Sequence, residues 1–258
     1  MKNFTIRIKF IFYFLLLLSA CAHAQPGKDG DVTITDVNTV LNRYTRAAVD
    51  IAAGSTTITV TNINDLNRNS PSYLPGGFVT NNSGFVSNVL SPGDLIIIYQ
   101  AQGASINNSD TMGYGSVTNY NGAGTYELVY VESVSGNTIT LSCETKMSYN
   151  VARYVQIIRV PQYNTITVNA AASIVAIPWG APSFGGADAS AIERRRGGFN
   201  AFFANNVINN GSINANNAGF RGGTIDNLTS AASAAFVSSF FSSLQQDGAE
   251  KGESIAGY

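Results

Sequence analysis

Residues 126–143 read YELVYVESVSGNTITLSC, and this stretch decides the fold class. From Tyr126 to Val134 apolar and polar residues alternate, the period of a strand with one face turned to a core. Ser135-Gly136-Asn137 supplies a three-residue turn, and Thr138 to Cys143 (TITLSC) resumes the alternation. Two such runs joined by a short Gly/Asn turn define a β-hairpin. The same pattern extends outward in both directions. Upstream lie Asp94 to Tyr99 (DLIIIY), behind the turn Ser91-Pro92-Gly93, and Thr56 to Val60 (TTITV), behind Ala53-Gly54. Downstream lie Val155 to Val160 (VQIIRV) and Thr165 to Val168 (TITV), separated by Pro161, which has no N–H to give a ladder. Short strands at regular spacing predict an all-β chain, with a β-sandwich or barrel-like domain over residues 25–177. Asp36 to Ala53 reads both ways: Val37, Leu41 and Tyr44 have helical spacing, whereas the Thr and Val content suits a strand.

Composition changes near Pro178. Residues 178–258 are rich in Asn, Gly and Ala, and apolar residues arrive in pulses at Phe199, Phe202-Phe203, Val207-Ile208, Ile213 and Phe220. Asn205 to Asn217 (NNVINNGSINANN) flanks each β-branched residue with Asn, which suits short β-solenoid strands whose corners are capped by Asn side chains. No strict repeat is visible, so irregular sandwich strands remain the competing expectation for this segment. One helix is expected over Leu228 to Gln246, where Phe236, Val237, Phe240, Phe241 and Leu244 make an apolar stripe that ends at Asp247-Gly248.

The N-terminus sets the compartment. Lys2, Arg7 and Lys9 precede the apolar run Phe10 to Leu18, and Ala22-His23-Ala24 is an A-x-A site before Gln25. This order predicts a secretory signal peptide over residues 1–24, cleaved between Ala24 and Gln25. The run is shorter than the roughly 20 residues a membrane span needs. Leu18-Ser19-Ala20-Cys21 also resembles a lipobox, which makes lipidation at Cys21 the alternative. Without its leader the chain keeps 12 basic residues against 16 acidic ones, and this mild acidity gives no electrostatic reason to bind nucleic acid. Its one histidine, His23, lies in the leader, so the exported chain lacks the commonest general base and metal ligand. Of two cysteines only Cys143 is left, read as a small buried residue at a strand end with no internal disulfide.

Residues able to carry chemistry are few. Asp29-Gly30-Asp31 with Asp36 lacks the spacing of a calcium loop and reads as a solvated N-terminus. Glu127 and Glu132 fall on opposite faces of one strand, so they cannot flank one glycosidic bond. Glu193-Arg194-Arg195-Arg196 is the densest charge cluster. Its three arginines can grip a sulfated or carboxylated glycan through bidentate contacts, or the segment is a solubilising loop. Tyr114, Tyr120 and Tyr126, with Trp179, can stack on sugar rings, although core packing accounts for most aromatic residues of a β-protein. No metal, cofactor or catalytic residue is implied.

Several stretches resemble the N-terminal region of large exported surface proteins of Bacteroidetes tied to type IX secretion and gliding-type adhesins. They are Ala52 to Val60 (AAGSTTITV), Gly93 to Gly103 (GDLIIIYQAQG), Tyr126 to Thr140, Val155 to Tyr163 (VQIIRVPQY), Asn210 to Gly223 (NGSINANNAGFRGG) and Lys251 to Tyr258 (KGESIAGY). The resemblance implies a modular architecture that runs on into Gly-rich segments, repeats and a C-terminal sorting domain. It supplies no catalytic residue. The chain thus reads as an N-terminal portion of such a protein, resident outside the cell or on the outer-membrane surface, or in the periplasm if it is complete. The expectation is a non-enzymatic structural or adhesin-like module whose partners are glycans or other surface proteins. The alternative is a carbohydrate-active or glycan-binding β-solenoid similar to polysaccharide lyases.

Overall fold

The computed structural model describes residues 27–69, 74, 77–80, 84–109, 111–180, 195–220 and 254–256. Its strands follow in chain order. They are β1 (Val32–Ile34), β2 (Thr39–Val40), β3 (Arg43–Arg46), β4 (Thr57–Thr59), β5 (Val79–Thr80), β6 (Leu95–Gln100), β7 (Ser105–Ile106) and β8 (Val117–Asn119). Then come β9 (Tyr126–Ser135), β10 (Thr138–Leu141), β11 (Val155–Val160), β12 (Gln162–Val168), β13 (Ser173–Val175), β14 (Phe203–Asn209) and β15 (Ser212–Asn214). The chain is all-β, as its alternation predicts, and the only helical turns among the described residues are 3-10 turns at Ile63–Leu66 and Val151–Arg153. Asp36 to Ala53 resolves in favour of strand, as β2 and β3. The expected helix over Leu228 to Gln246 and the leader with Cys21, Ala24 and Gln25 lie outside the described residues.

Six strands form an antiparallel sheet in the order β3-β11-β6-β9-β10-β4. The sheet curls into a half-barrel whose two edges approach at an Ala47–Val60 bridge, where Ala48 N donates to Thr59 O at 2.8 Å and Thr61 N to Arg46 O at 2.9 Å. The curl is possible because alternate residues of every strand point inward. Ile96 and Ile98 of β6, Val129 and Val131 of β9, Ile139 and Leu141 of β10 and Ile157 of β11 fill the concave side. In β9 the register with β10 shifts so that Thr140 opposes Ser133 and Leu141 opposes Val131. Glu132 is therefore the extra residue of a bulge.

Apart from β7 and β8, which pair antiparallel, the remaining strands pair in parallel. β1, β12 and β14 form one sheet, and β5, β2, β13 and β15 form another. Each of the pairs β1/β2, β12/β13 and β14/β15 is one coil of a short β-solenoid: strand, corner, strand. Corners stack as well as strands, through Asn169 N to Ile34 O at 3.0 Å, Asn210 N to Val168 O at 2.9 Å, and Ser212 N to Ala172 O at 3.1 Å. At the last corner a Cβ on Gly211 would stand 2.3 Å from Ala172 O and 2.5 Å from Asn169 O, so only glycine lets this turn sit on the one beneath. Asn side chains cap the turns as the sequence predicts: Asn209 Oδ1 accepts from Gly211 N at 3.2 Å and Asn214 Oδ1 from Asn216 N at 3.2 Å.

Two expectations are corrected here. Solenoid strands are not confined to residues 178–258, because the first coil begins at Val32 and the second at Gln162. The boundary after Ile177 is likewise crossed, since β14 pairs along β12 from Gln162–Phe203 to Val168–Asn209. The half-barrel is an insertion between the first and second coils. Its outer face, with Leu95, Ile97, Ile158 and Val160, packs against Val40 and Ile177 of the solenoid, so the two parts share one apolar layer. At about 25 cal/mol per Å² of apolar surface removed from water, such a layer is the main force joining them.

Candidate functional site

Most charged groups near the core are structural. Arg159 is fully buried on β11, and its guanidinium meets Asp94 Oδ2 at 2.8 Å, Leu66 O at 3.1 Å, Ser87 O at 3.1 Å and Asn88 O at 3.3 Å. It lies 4.1 Å from the centre of the Phe85 ring, with Arg43 5.7 Å away from the same ring. Arg43 donates to Arg68 O at 2.7 Å and to Asn42 O at 3.1 Å. Asp94 also pairs with Lys28 and accepts from Ser91 N at 2.8 Å. Burial pulls the Arg159 pKa below its ordinary value, opposed chiefly by the Asp94 carboxylate.

Asp29 is no solvated tail residue, which corrects the reading of the N-terminal acidic segment. It is buried and accepts from Gln162 N at 2.8 Å and Val86 N at 3.0 Å, tying the first residues of the solenoid to β12 and to the loop before β6. Burial raises its pKa despite those two N–H groups. Asp31 accepts from Asn164 Nδ2 at 2.9 Å and Thr165 N at 3.0 Å. Among the described residues no group of three or more His, Cys, Asp or Glu side chains is placed to hold a metal ion.

The arginine cluster divides. Arg194 lies outside the described residues. Arg195 is half-buried over the Tyr154 ring at 4.4 Å and reaches Gln102 Oε1 at 3.3 Å. Arg196 is buried, with Nη1 2.7 Å from Asp65 Oδ2 and 3.3 Å from Tyr44 O. The solubilising-loop reading is therefore corrected for Arg196, which pins the chain entering the third coil against β3 and the turn after β4. Cys143 lies just past β10, half-buried and disulfide-bonded.

A different group of residues forms the concave, accessible site. Strand alternation at the end of β6 puts Tyr99 and Ala101 on one face and Gln100 on the other. On the first face Tyr99, Trp179, Phe199 and Phe220 line a cleft of about 130 Å³, floored by Gly197, Gly198 and Gly219. Tyr99 meets Phe199 edge-on at 4.8 Å, and Trp179 meets Phe220 edge-on at 5.4 Å, so each ring fixes another. Trp179 N donates to Ala218 O at 3.1 Å, while its buried Nε1 has no hydrogen-bond partner among the described residues. Gly197 sits at φ +107°, and a Cβ there would come 2.8 Å from both Ile177 O and Pro178 O. In the β6–β9 register Tyr99 stands opposite Tyr126, whose side chain is 62% exposed, and Leu128 two residues on is also exposed. The aromatic surface thus continues out of the cleft along β9.

Gln100 faces a second, polar cleft of about 420 Å³ lined by Asp50, Asn121, Ser148, Asn150 and Arg153. Arg153 donates to Asn121 O, and Asp50 Oδ1 accepts from Val151 N at 2.8 Å. Behind it Glu127 accepts from Lys146 N, Met147 N and Tyr149 Oη at 2.8–2.9 Å. Burial, then that carboxylate, pushes the Tyr149 phenol above its ordinary range. Of the tyrosines singled out in the sequence, Tyr126 stands opposite Tyr99 on the neighbouring strand, and none of Tyr114, Tyr120 and Tyr126 lines the cleft itself. Trp179 forms a wall of it. Phe199, Phe220 and Tyr99 were not foreseen as site residues, and only their aromatic character signalled them.

No family model and no curated protein matches the chain. Among solved structures it is similar to the tailspike of Acinetobacter baumannii bacteriophage AP22 in complex with A. baumannii capsular saccharide, at 18% identity and a TM-score of 0.26 over 56% of this chain and 19% of that one. It is also similar to the tailspike of Pseudomonas phage phi297, at 18% identity and a TM-score of 0.27 over 58% and 20% of the two chains. A third, the tailspike of Pseudomonas phage LKA1, matches at 17% identity and a TM-score of 0.26 over 53% and 19%. The aligned region spans about a fifth of the length of these structures. No helix among the described residues is long and apolar enough to cross a membrane.

Proposed function

We propose that the chain is a non-catalytic, exported surface module with an adhesin-like role, and that its aromatic corner contacts glycans. The observation that carries this reading is the Tyr99–Phe199–Trp179–Phe220 cleft, continued by the exposed ring of Tyr126 on a rigid strand. Flat, fixed rings stack on the apolar faces of sugars at low entropic cost. The neighbouring polar cleft offers amide, hydroxyl and guanidinium groups suited to sugar hydroxyls. Supporting the non-catalytic part, Asp29, Asp94, Arg159, Arg196 and Glu127 are each committed to backbone or ion-pair partners that hold the fold.

The test is a glycan array with the exported chain and its Tyr126→Ala variant. Saturable binding to one glycan class, weakened about tenfold or more in the variant, is the expected result; tenfold corresponds to about 1.4 kcal/mol. Tyr126 is exposed, so its replacement leaves folding within about 0.5 kcal/mol of the native chain. Equal binding by both proteins would remove the corner from the site. Absence of binding would leave a purely architectural role.

A further inference from the structure

The cleft walled by Tyr99, Trp179, Phe199 and Phe220 is small, and its chemistry is one-sided. Its volume of about 130 Å³ lies below the roughly 300 Å³ at which pockets enclose a whole small molecule. A sugar ring therefore stays at its mouth, and only a substituent enters. No charged side chain among the described residues lines it. A carboxylate, sulfate or ammonium group would be buried there without a counter-charge, which is costly.

The polar groups around the cleft fall into two sets. Backbone acceptors are taken: Ala218 O by Trp179 N at 3.1 Å, Ile177 O by Gly198 N at 2.8 Å and Phe199 O by Tyr44 Oη at 2.6 Å. Two side-chain donors are not. Trp179 Nε1 is buried with no partner, and among the described residues nothing accepts from the half-buried Tyr99 hydroxyl. Burial raises the Tyr99 phenol above its ordinary value, so it stays protonated and able to donate. A desolvated donor without an acceptor is unfavourable, and a ligand oxygen relieves it.

An occupant that suits these walls is uncharged, has an apolar end the size of a methyl group, and brings an acceptor oxygen. A methyl group alone leaves the donors unmet, and a hydroxyl alone leaves the rings against a polar group. We propose that the cleft is an acetyl-recognition pocket for an N- or O-acetylated sugar, with the methyl group among the rings and the carbonyl oxygen accepting from Tyr99 Oη. The sugar ring then lies outside, beside the exposed side chains of Tyr126 and Leu128. This inference rests on the glycan reading above and specifies which glycans the corner selects.

An array printed in pairs, each acetylated glycan beside its fully deacetylated form, tests it with residues 25–258. The acetylated member is expected to bind about tenfold more tightly or better. Mild alkali hydrolyses O-acetyl esters and spares N-acetyl amides, so binding that survives it assigns the N-acetyl form and binding lost with it the O-acetyl form. The glycan bound best is expected to shift the fluorescence of Trp179, the one tryptophan of the chain. Tyr99→Phe removes a hydroxyl that no described residue uses, so the urea midpoint is expected to stay unchanged while affinity for the acetylated member falls about two- to tenfold. Equal binding to both members of a pair, weakened by Tyr126→Ala, would overturn the proposal and leave the glycan reading standing. Binding to neither member would overturn both. Unmoved tryptophan fluorescence, or equal affinity of the native and Tyr99→Phe proteins, would also overturn the proposal.

Discussion

Replacing Arg159 by methionine removes a cation from the centre of the molecule while keeping most of its volume. The guanidinium loses one ion pair at 2.8 Å and three carbonyl contacts at 3.1–3.3 Å, all out of water. Removing one partner of a buried pair costs about 3–5 kcal/mol, because the other charge stays buried. Here Asp94 keeps Lys28, which lowers that figure. The carbonyls of Leu66, Ser87 and Asn88 lose a donor, at about 1–3 kcal/mol for a buried group left unsatisfied, and the contact with Phe85 forfeits up to about 2 kcal/mol. These effects overlap, and a net loss of about 3–5 kcal/mol follows, on the scale of a buried pair broken from one side. Urea unfolding followed by tryptophan fluorescence reads it as a lower midpoint at unchanged slope, Trp179 being the one tryptophan of the chain. A loss below about 1 kcal/mol would refute the reasoning, since that is the scale of an exposed pair.

Arg196→Ala is expected to destabilise by about 2–4 kcal/mol, given its burial against Asp65 and the Tyr44 carbonyl, whereas Arg195→Ala loses about 1 kcal/mol from a half-exposed ring contact. Equal urea midpoints for the two variants would contradict this division of the cluster. Gly211→Ala drives a Cβ into two carbonyl oxygens at the last solenoid corner and is expected to cost at least about 1–3 kcal/mol, read by the same unfolding. Asp29 holds its proton more tightly folded than unfolded, so its contribution to stability is fullest below its ordinary pKa of 3.8 and is lost as pH rises through the raised, folded value. The urea midpoint of the native chain relative to Asp29→Asn should therefore rise as the pH is lowered through that window. A flat or falling difference would contradict the burial assigned to Asp29.

Local structure was legible wherever one chain segment carried its own pattern. The hairpin of β9 and β10, the apolar run of β6 and the break at Pro161 between β11 and β12 all stand in the fold as the alternation places them. The solenoid was legible only in its last coil. Its first and second coils are separated by the half-barrel insertion, so no repeat period survives along the chain and the β1–β12 pairing leaves no local trace. The same distance hides the ion pairs. Nothing around Arg159 names Asp94 as its partner, and nothing around Arg196 names Asp65. A run of three arginines reads as solvated because charge is costly to bury unpaired, and it is the long-range partner that reverses the reading for Arg196. The cleft was half legible: Tyr126 and Trp179 could be named as rings able to stack on sugars, but only the β6–β9 register and the turn at Gly197-Gly198 bring Tyr99, Phe199 and Phe220 beside them.

Incubation of residues 25–258 with the polysaccharide they bind best on an array, followed by size analysis of the polymer and a binding isotherm for the native and Tyr126→Ala proteins, tests the central claim most directly. A non-catalytic glycan-contacting module predicts a polymer of unchanged length and an affinity about tenfold weaker in the variant. Shortened polymer, or an isotherm indifferent to Tyr126, would contradict it.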